Sequence, residues 1–424
     1  MFMVNSMLHF IKKSPTCFHA VRNVAQTLEQ KGYVNLTDGG VPEKGGKYYV
    51  TKNGSSLIAF RLPQAEPHGF MTAASHSDSP CLRLRDTAEL AASYVRLSSE
   101  RYGGLIHASW IDRPLSIAGR VLVDADDRVE SRLVDFEKDM VLIPNVAIHL
   151  NREMNSGVKY DPSSDLVPLY GLGSAKGSFR KELAALAGCE EEQLLATDLY
   201  VYNNQPGTVW GAEDAFVSSP RLDDLACVYT SLQAFLLAKE AASVPVLAIF
   251  DNEEIGSETK QGAGSTFLAD TMQEICSALG LELSRMLRQS FMLSCDNGHG
   301  LHPNHPELAD RTEAPMLGSG VIIKHSPRYA TDGVATAVFS QICKKAGVPL
   351  QHYSNRPDQA GGATLGNIAN TKTGMLTADI GMAQLAMHSS FETAAAADTA
   401  YMIRAVQAVY ETALTVKGDT VTMG

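Results

Sequence analysis

The feature of this chain that most restricts its fold is a short apolar run that ends in two adjacent acids. The run is Val244–Phe250, and Glu253 and Glu254 follow it closely. A short apolar, β-branched run predicts a buried strand. In open α/β sheets ligands bind beyond the carboxyl ends of the strands, so these two acids are predicted at a ligand site. The alternative is that they belong to a solvated acidic loop.

Further His and Asp residues stand at the ends of similar runs or at the start of a helix. They are His76 and Asp78 after residues 69–75, Asp296 after Phe291–Cys295, His388 after residues 382–387, and Asp223 just before an amphipathic run. Residues that follow several strands of one sheet come together at its edge. This recurrence predicts one site assembled from several loops.

The chemistry of these side chains suits a metal site. Imidazole and carboxylate are ligands for Zn²⁺, Mn²⁺ or Co²⁺. Asp223 could bridge two ions with its two oxygens, and two ions could hold a hydroxide between them and polarise a carbonyl. Asp78 could orient the ring of His76 through the far nitrogen. Glu253 could then take a proton from the bound water and pass it to a leaving amine.

Each residue also has an ordinary structural interpretation. A His-x-Asp pair such as His76 and Asp78 is commonly structural, and Asp223 and Asp224 could simply be acids at a helix N-terminus. Asp296 could be a turn residue, and His388 a core or surface histidine. The coincidence of all of them at strand ends or a helix start is what favours the metal hypothesis.

Length, charge and cysteine content narrow the class of protein. The 424 residues predict two domains, and the net charge of −11 disfavours nucleic acid and anionic membranes as partners. Seven scattered cysteines without a Cys-x-x-Cys motif predict free thiols in a reducing compartment. No convincing signal peptide and no apolar run of membrane-spanning length is found, so a soluble, cytoplasmic protein is expected.

The chain divides into two kinds of pattern. From about residue 220 helices and strands alternate, which predicts an α/β domain with a doubly wound, mostly parallel sheet. Predicted elements there include a helix over 222–242 and a long closing helix over 391–415. Residues 87–218 instead show short alternating runs typical of an antiparallel β-rich insertion, with an exposed loop over 161–177. The expected domains are therefore 1–86 with 219–424, and the inserted 87–218.

Several strings of residues resemble the aspartyl aminopeptidase family of two-zinc metallopeptidases. The matching strings occur in the family's order and span nearly the whole chain: residues 75–81, 220–225, 251–257, 296–304, 361–366 and 387–389. The resemblance implies a doubly wound peptidase domain interrupted by a β-rich dimerisation domain. The chain would then be a metal-dependent aminopeptidase that acts on small peptides.

Roles for individual residues follow from the same resemblance. Asp223 would bridge two zinc ions, which Mn²⁺ or Co²⁺ could replace. The remaining ligands would be His76 and Asp296 for one ion and Glu254 and His388 for the other. Glu253 falls on the position of the general base, and Asp78 on that of the carboxylate that orients His76.

The resemblance also extends to the substrate and to assembly. Cleavage of N-terminal Asp or Glu requires a cation in the pocket, and Lys324 matches the family's pocket lysine, with Tyr329 close behind. His299 and His302 are further candidates for substrate binding. Family members form dimers that assemble into a tetrahedral dodecamer, and His149 matches a histidine that reaches the partner's active site. That histidine is expected to stabilise the oxyanion, unless it is a structural residue of the interface.

The chain departs from better-known members of this family. Residues 356–362 read Arg-Pro-Asp-Gln-Ala-Gly-Gly where many relatives have an Asn-Asp…Cys-Gly string, and Lys324 is followed by His325. These changes leave open a two-metal aminopeptidase of neutral or broad specificity, or a deacylase. A third alternative is a non-catalytic, self-assembling scaffold.

Overall fold

A computed structural model of the chain describes residues 1–359 and 361–424; Ala360, in the string 356–362 noted above, lies outside the described residues. The α-helices of the described residues are α1 (Phe2–Lys13), α2 (Cys17–Gln30), α3 (Ser178–Ala187), α4 (Leu222–Leu237), α5 (Phe267–Leu279), α6 (Leu283–Leu287), α7 (Gly333–Ala346), α8 (Leu365–Thr373) and α9 (Ala396–Tyr410).

The strands fall along the whole chain. They are β1 (Val34–Asn35), β2 (Lys47–Lys52), β3 (Ser56–Arg61), β4 (Phe70–His76), β5 (Cys81–Ala91), β6 (Tyr94–Tyr102), β7 (Pro114–Asp124), β8 (Val129–Asp135), β9 (Val141–Leu142), β10 (Leu169–Leu172), β11 (Leu194–Tyr202), β12 (Thr208–Trp210), β13 (Phe216–Ser219), β14 (Val244–Phe250), β15 (Phe291–Cys295), β16 (Gly298–His299), β17 (Val321–His325), β18 (Leu350–Ser354), β19 (Leu376–Gly381), β20 (Ala383–Leu385), β21 (Glu392–Ala395), β22 (Leu414–Lys417) and β23 (Thr420–Met423).

The largest sheet has nine strands in the order β1-β2-β3-β14-β4-β15-β19-β17-β18. Its centre is parallel: β4 pairs in parallel with β14 and β15, and β15 with β19. Antiparallel pairing occurs at β2–β3, β3–β14 and β17–β19. The prediction of a doubly wound, mostly parallel sheet is confirmed.

Helices cover both faces of this sheet, because its strands are apolar on both sides. Leu247 and Ile249 of β14 pack in the core that includes α1, α2, α4, α7 and α9. The alternate residues Val246 and Ala248 pack in a second core with α5 and α8. Alternation along a strand sends neighbouring side chains to opposite faces, so β14 contributes to both cores.

A second sheet has seven strands in the order β11-β5-β6-β10-β9-β7-β8, and β11 also pairs with β7. This extra pairing closes the sheet into a barrel-like form with its own core, which includes Leu97, Ile117 and Val201. The predicted insertion 87–218 contains most of it. However, β5 begins earlier, at Cys81, and β12 and β13 join a five-stranded sheet, β12-β13-β21-β20-β16. The domain boundaries stay a prediction.

Three predicted elements are wrong in extent. The closing helix over 391–415 begins only at Ala396, because Glu392–Ala395 pairs as β21 with β13 and β20, and the chain after Tyr410 turns into the hairpin β22–β23. Helix 222–242 ends at Leu237, since the chain must reverse to enter β14. The exposed loop over 161–177 contains β10, which pairs with β6 and β9.

No helix among residues 1–359 and 361–424 is long and apolar enough to cross a membrane.

Candidate metal centre

The carboxyl ends of three adjacent parallel strands form the floor of the site. His76 is the last residue of β4, and its register partner on β14 is Phe250, three residues before Glu253. Asp296 directly follows β15, which pairs with β4 on its other side. The three predicted strand ends therefore lie side by side at one edge of the sheet, where ligands bind in such folds.

Two further side chains come from outside the sheet. Asp223 lies in the first turn of α4, where its backbone is extended (φ −84°, ψ 109°) rather than helical. His388 lies in the loop between β20 and β21 with a left-handed backbone (φ +67°), which only tight turns normally require of a residue other than glycine. Both are thus presented by local backbone conformations that regular helix or strand would not provide.

Asp223 stands between two imidazoles. Its Oδ1 lies 3.4 Å from Nε2 of His76, and its Oδ2 lies 3.5 Å from Nε2 of His388. The same His388 nitrogen is 3.5 Å from Oε2 of Glu254. Zinc bonds of about 2.0–2.2 Å at tetrahedral angles separate neighbouring ligand atoms by about 3.3–3.6 Å. These spacings fit cations shared between the groups.

The side chains fall into overlapping sets whose ligand atoms all lie within 4.8 Å of one another. The sets are His76 with Asp223, Asp224 and Asp296; His76 with Glu253 and Glu254; and Asp223 with Glu254 and His388. Asp223 is shared by the first and third sets. The structure thus brings together every residue that the resemblance assigned to metal binding, and adds Asp224. Their role as ligands stays a prediction.

Both histidines turn the same nitrogen toward the site. Nδ1 of His388 lies 2.9 Å from the carbonyl oxygen of Gly104, and Nδ1 of His76 lies 3.1 Å from that of Asp78. A carbonyl can only accept, so each Nδ1 must carry the proton and donate it. Each Nε2 is then left with a free lone pair facing the carboxylates, which is the arrangement of a metal-binding histidine.

The electrostatics of the cluster favour a bound cation. Burial, followed by the charges of Asp296, Asp78 and Asp223, raises the pKa of Glu253 to about 8, against the attraction of His76. Burial also raises the pKa of Glu254. Burial would do the same for Asp223, but the neighbouring imidazoles of His388 and His76 lower its pKa instead. These carboxylates concentrate more negative charge than a buried site holds without compensation.

Unpaired buried oxygens support the same conclusion. Among the described residues, Oδ1 of Asp223, Oδ1 of Asp224 and Oε1 of Glu254 have no hydrogen-bond partner. Buried polar atoms are nearly always bonded, so oxygens without a partner in one cluster fit ligand positions. The donor set of imidazole nitrogen and carboxylate oxygen suits zinc.

Asp78 organises the loop that carries the two glutamates. Its Oδ1 accepts the backbone N–H of Glu253 at 3.1 Å, and its Oδ2 accepts that of Glu254 at 3.1 Å. Oδ2 also accepts the hydroxyl of Tyr102 at 2.9 Å, and Oδ1 lies 3.4 Å from Nδ1 of His76. Of these contacts, only the one with His76 was predicted from the sequence. The larger structural effect of Asp78 is on the 253–254 backbone.

Lys324 lies buried beside the cluster. Its Nζ donates to the carbonyl of Asn297 at 2.7 Å, lies 3.5 Å from Oδ2 of Asp296, and stands 5.7 Å from the ring centroid of Tyr329. Burial alone would lower the pKa of Lys324, but Asp296 and other neighbours raise it overall. The lysine is therefore a fixed positive charge next to the predicted metal ligands.

The remaining candidates are not among the grouped ligand side chains. His299 and His302 both line a neighbouring cavity of about 270 Å³, and His302 is exposed. His149 is exposed in a turn of the chain between β9 and β10, and Val146, Ile148 and Leu150 around it are exposed as well. A single copy of the chain therefore does not assemble His149 into the site.

Two buried groups at the site were missed in the sequence. Tyr102, at the end of β6, bonds Asp78 and accepts Nδ2 of Asn252 at 2.8 Å. Glu392, the first residue of β21, bonds the backbone of two site residues. No local pattern marks Tyr102. Glu392 lies inside the stretch that the sequence predicted as the closing helix, whereas the structure places it in β21.

Comparisons with known proteins identify the family of the chain. Residues 10–410 match the family described as aminopeptidase I zinc metalloprotease (M18). A probable M18 family aminopeptidase 2 of Clostridium acetobutylicum is 39% identical over 423 residues, covering 95% of this chain and 97% of the relative.

Solved structures give the same result. The Ape4 protein in the cryo-EM structure of the Ape4 and Nbr1 complex superposes with a TM-score of 0.93 at 32% identity, covering 96% of this chain and 85% of that one. The S. cerevisiae mApe1 dodecamer gives 0.84 at 26% identity, covering 96% and 97%. The chain therefore belongs to the M18 family of zinc metallo-aminopeptidases.

Proposed function

We propose that this enzyme removes N-terminal residues, preferably Asp or Glu, from small peptides, with two zinc ions shared through Asp223. The observation that carries the proposal is the placement of Asp223 between His76 and His388, one oxygen toward each ring. When bound, such a pair of ions would polarise the scissile carbonyl and make water more acidic. His76 and Asp296 would hold one ion, and Glu254 and His388 the other.

Glu253 is proposed as the general base. Its carboxyl is grouped with His76 and Glu254, and it is absent from both sets that contain Asp223, the proposed bridging residue. Burial raises the pKa of Glu253 to about 8, which makes its carboxylate a stronger base than an ordinary glutamate and suits a group that takes a proton from water and returns it to the leaving amine. Asp78 supports this role by fixing the backbone N–H of Glu253.

The test of the base is Glu253→Gln. The variant should keep its zinc and its fold but lose at least about 10²-fold in kcat. Glu258→Gln, an exposed acid five residues on, is the matched control and should leave kcat unchanged. Full turnover by a zinc-loaded Glu253→Gln protein would refute the assignment.

Acidic preference rests on Lys324, whose buried ammonium could pair with an Asp or Glu side chain of the substrate. Tyr329 lies against the same ammonium, and His299 and His302 line the cavity next to the site. Lys324→Ala should raise KM for N-terminal Asp and Glu peptides and spare Leu and Ala peptides. Because Lys324 also lies near Asp296, zinc content must be measured in parallel. An unchanged preference at normal zinc content would favour the neutral or broad aminopeptidase.

Assembly is proposed from the relatives. The S. cerevisiae mApe1 structure is a dodecamer, and the exposed apolar residues around His149 support burial of this surface against another copy. His149 would then reach the site of a neighbouring subunit and stabilise the developing oxyanion. All seven cysteines are free, which supports a reducing compartment such as the cytoplasm.

A further inference from the structure

Glu392 connects two site residues that are far apart in the sequence. Its Oε1 accepts the backbone N–H of His388 at 2.7 Å, and its Oε2 accepts that of Asp223 at 3.0 Å. The carboxylate is buried, with 1% of its surface exposed. One side chain thus binds the backbones of the two residues whose own side chains face each other at 3.5 Å.

Both N–H groups need such an acceptor because of where they lie. Asp223 is in the first turn of α4, where helix N–H groups have no intrahelical partner. His388 has a left-handed backbone, which persists only when surrounding contacts hold it. The two oxygens of the Glu392 carboxyl group each accept one of these N–H groups, so this single side chain can hold both conformations at once.

Strand pairing fixes the position of this carboxylate. Glu392 is the register partner of Ser219 in the antiparallel pair β13–β21, and Ser219 precedes Asp223 by four residues. On its other side β21 pairs with β20, which leads into the His388 loop. The carboxylate therefore sits where the two chain segments that carry Asp223 and His388 leave the same small sheet.

We propose that Glu392 is a positioning residue of the metal centre: by accepting the backbone N–H groups of Asp223 and His388, it sets the spacing between the Asp223 carboxylate and the His388 imidazole. This inference rests on the proposed function, because it assumes that these two side chains share an ion. Because Glu392 is buried and acts through the two backbones, its effect is expected first in metal affinity and through that in kcat.

The experiment compares zinc affinity in full-length protein variants. Glu392→Gln keeps the shape but replaces one acceptor by an NH₂ group that faces a backbone N–H. Its affinity for the more weakly held zinc, measured by competition with a chromophoric chelator, should fall about 10- to 100-fold. Asp398→Asn is the matched control: Asp398 is also buried and accepts two backbone N–H groups, of Gly318 and Gly320, away from the cluster. It should leave zinc affinity unchanged.

A His388→Ala variant separates the two levels of inference. If His388→Ala weakens zinc binding but Glu392→Gln binds zinc like the wild type, the positioning role is refuted and the proposed metal site stands. If His388→Ala also binds zinc like the wild type, the proposed ligand set itself fails. Equal losses of zinc affinity in Glu392→Gln and Asp398→Asn would indicate general destabilisation and would also refute the positioning role.

A second variant covers the case in which Glu392→Gln does not fold. Glu392→Asp keeps the charge, but its shorter side chain cannot reach both N–H groups. It should fold and still show weakened zinc affinity, with kcat reduced and KM nearly unchanged at limiting zinc. Wild-type zinc affinity in Glu392→Asp would overturn the proposal.

Discussion

The three hydrogen bonds that end on Asp78 make it the most informative residue to change. In Asp78→Asn the charge is lost and one oxygen becomes an NH₂ group. If the remaining oxygen keeps Tyr102 and Glu254, the NH₂ group faces the N–H of Glu253, and that buried donor loses its acceptor. An unsatisfied buried donor costs about 1–3 kcal/mol, and two weakened charge-assisted bonds add about 1 kcal/mol more. A destabilisation of about 3 kcal/mol is therefore expected.

The thermal shift from this change is small because the chain is long. An unfolding entropy of about 2.1 cal/mol/K per residue over 424 residues gives about 0.9 kcal/mol/K, so Tm should fall by only about 3 °C. The effect on catalysis should be larger. Glu253 and Glu254 are carried by the backbone that Asp78 holds, and loss of such an outer partner typically costs about 10- to 100-fold in activity or metal affinity.

The assay measures kcat and KM on a dipeptide with an N-terminal Asp or Glu. Zinc content and the calorimetric Tm are measured on the same samples. Tyr102→Phe removes one of the three bonds and leaves the two backbone contacts, so its loss of activity should be clearly smaller than that of Asp78→Asn. Asp332→Asn, at the N-cap of α7, tests the same chemical change away from the site. Activity of Asp78→Asn within about threefold of the wild type at normal zinc content would refute the reasoning.

Three further predictions concern other parts of the molecule. Burial, helped by the charges of Arg22 and Arg221, lowers the pKa of His19 to about 3. The contribution of His19 to stability is therefore present above its unfolded pKa of about 6.5 and is lost as the pH falls, by about 2 kcal/mol between about pH 7 and about pH 5. His19→Gln should make the free energy of unfolding, measured by calorimetry, fall less steeply over that range. Removing metal with a chelator should lower Tm. Zinc added at about 100 times its Kd should raise the free energy of unfolding by about 2.7 kcal/mol per ion, measured by calorimetry. A Tm that does not change with zinc would contradict the metal site. His149→Ala should lose about 10²-fold in kcat while retaining zinc. Co-assembly of His149→Ala subunits with Glu253→Gln subunits should recover activity, because the intact Glu253 of one subunit and the intact His149 of the other together form one complete site. No recovery would contradict action of His149 across subunits.

The sequence was informative where a functional residue ends an apolar strand. His76, Glu253, Glu254 and Asp296 follow or end β4, β14 and β15, whose burial leaves a continuous apolar run in the sequence. The periodicity of such runs is local, so it can be recognised without knowing the fold. The order of the strands then places their ends together.

Contacts made between distant segments were not predictable in this way. Tyr102 lies 24 residues from Asp78, and Glu392 lies 169 residues from Asp223. Glu392 also stands beside an alanine-rich stretch that favours helix, and pairing with β13 overrides that local preference. The spacing of the Asp223, His76 and His388 atoms depends on backbone conformations, such as the left-handed φ of His388, for which the sequence carries no clear signal.

The segment that follows β6 ties the seven-stranded sheet to the metal centre. The carbonyl of Gly104 fixes the His388 ring, and the N–H of Ile106 donates to the His388 carbonyl at 3.0 Å. A side chain at Gly103 would come within 3.1 Å of Cβ of Glu254, so this segment passes the site at backbone distance. The barrel-like sheet is consequently not an exchangeable module: replacing it with the equivalent part of a relative would alter the orientation of His388 unless residues 102–106 were transferred unchanged.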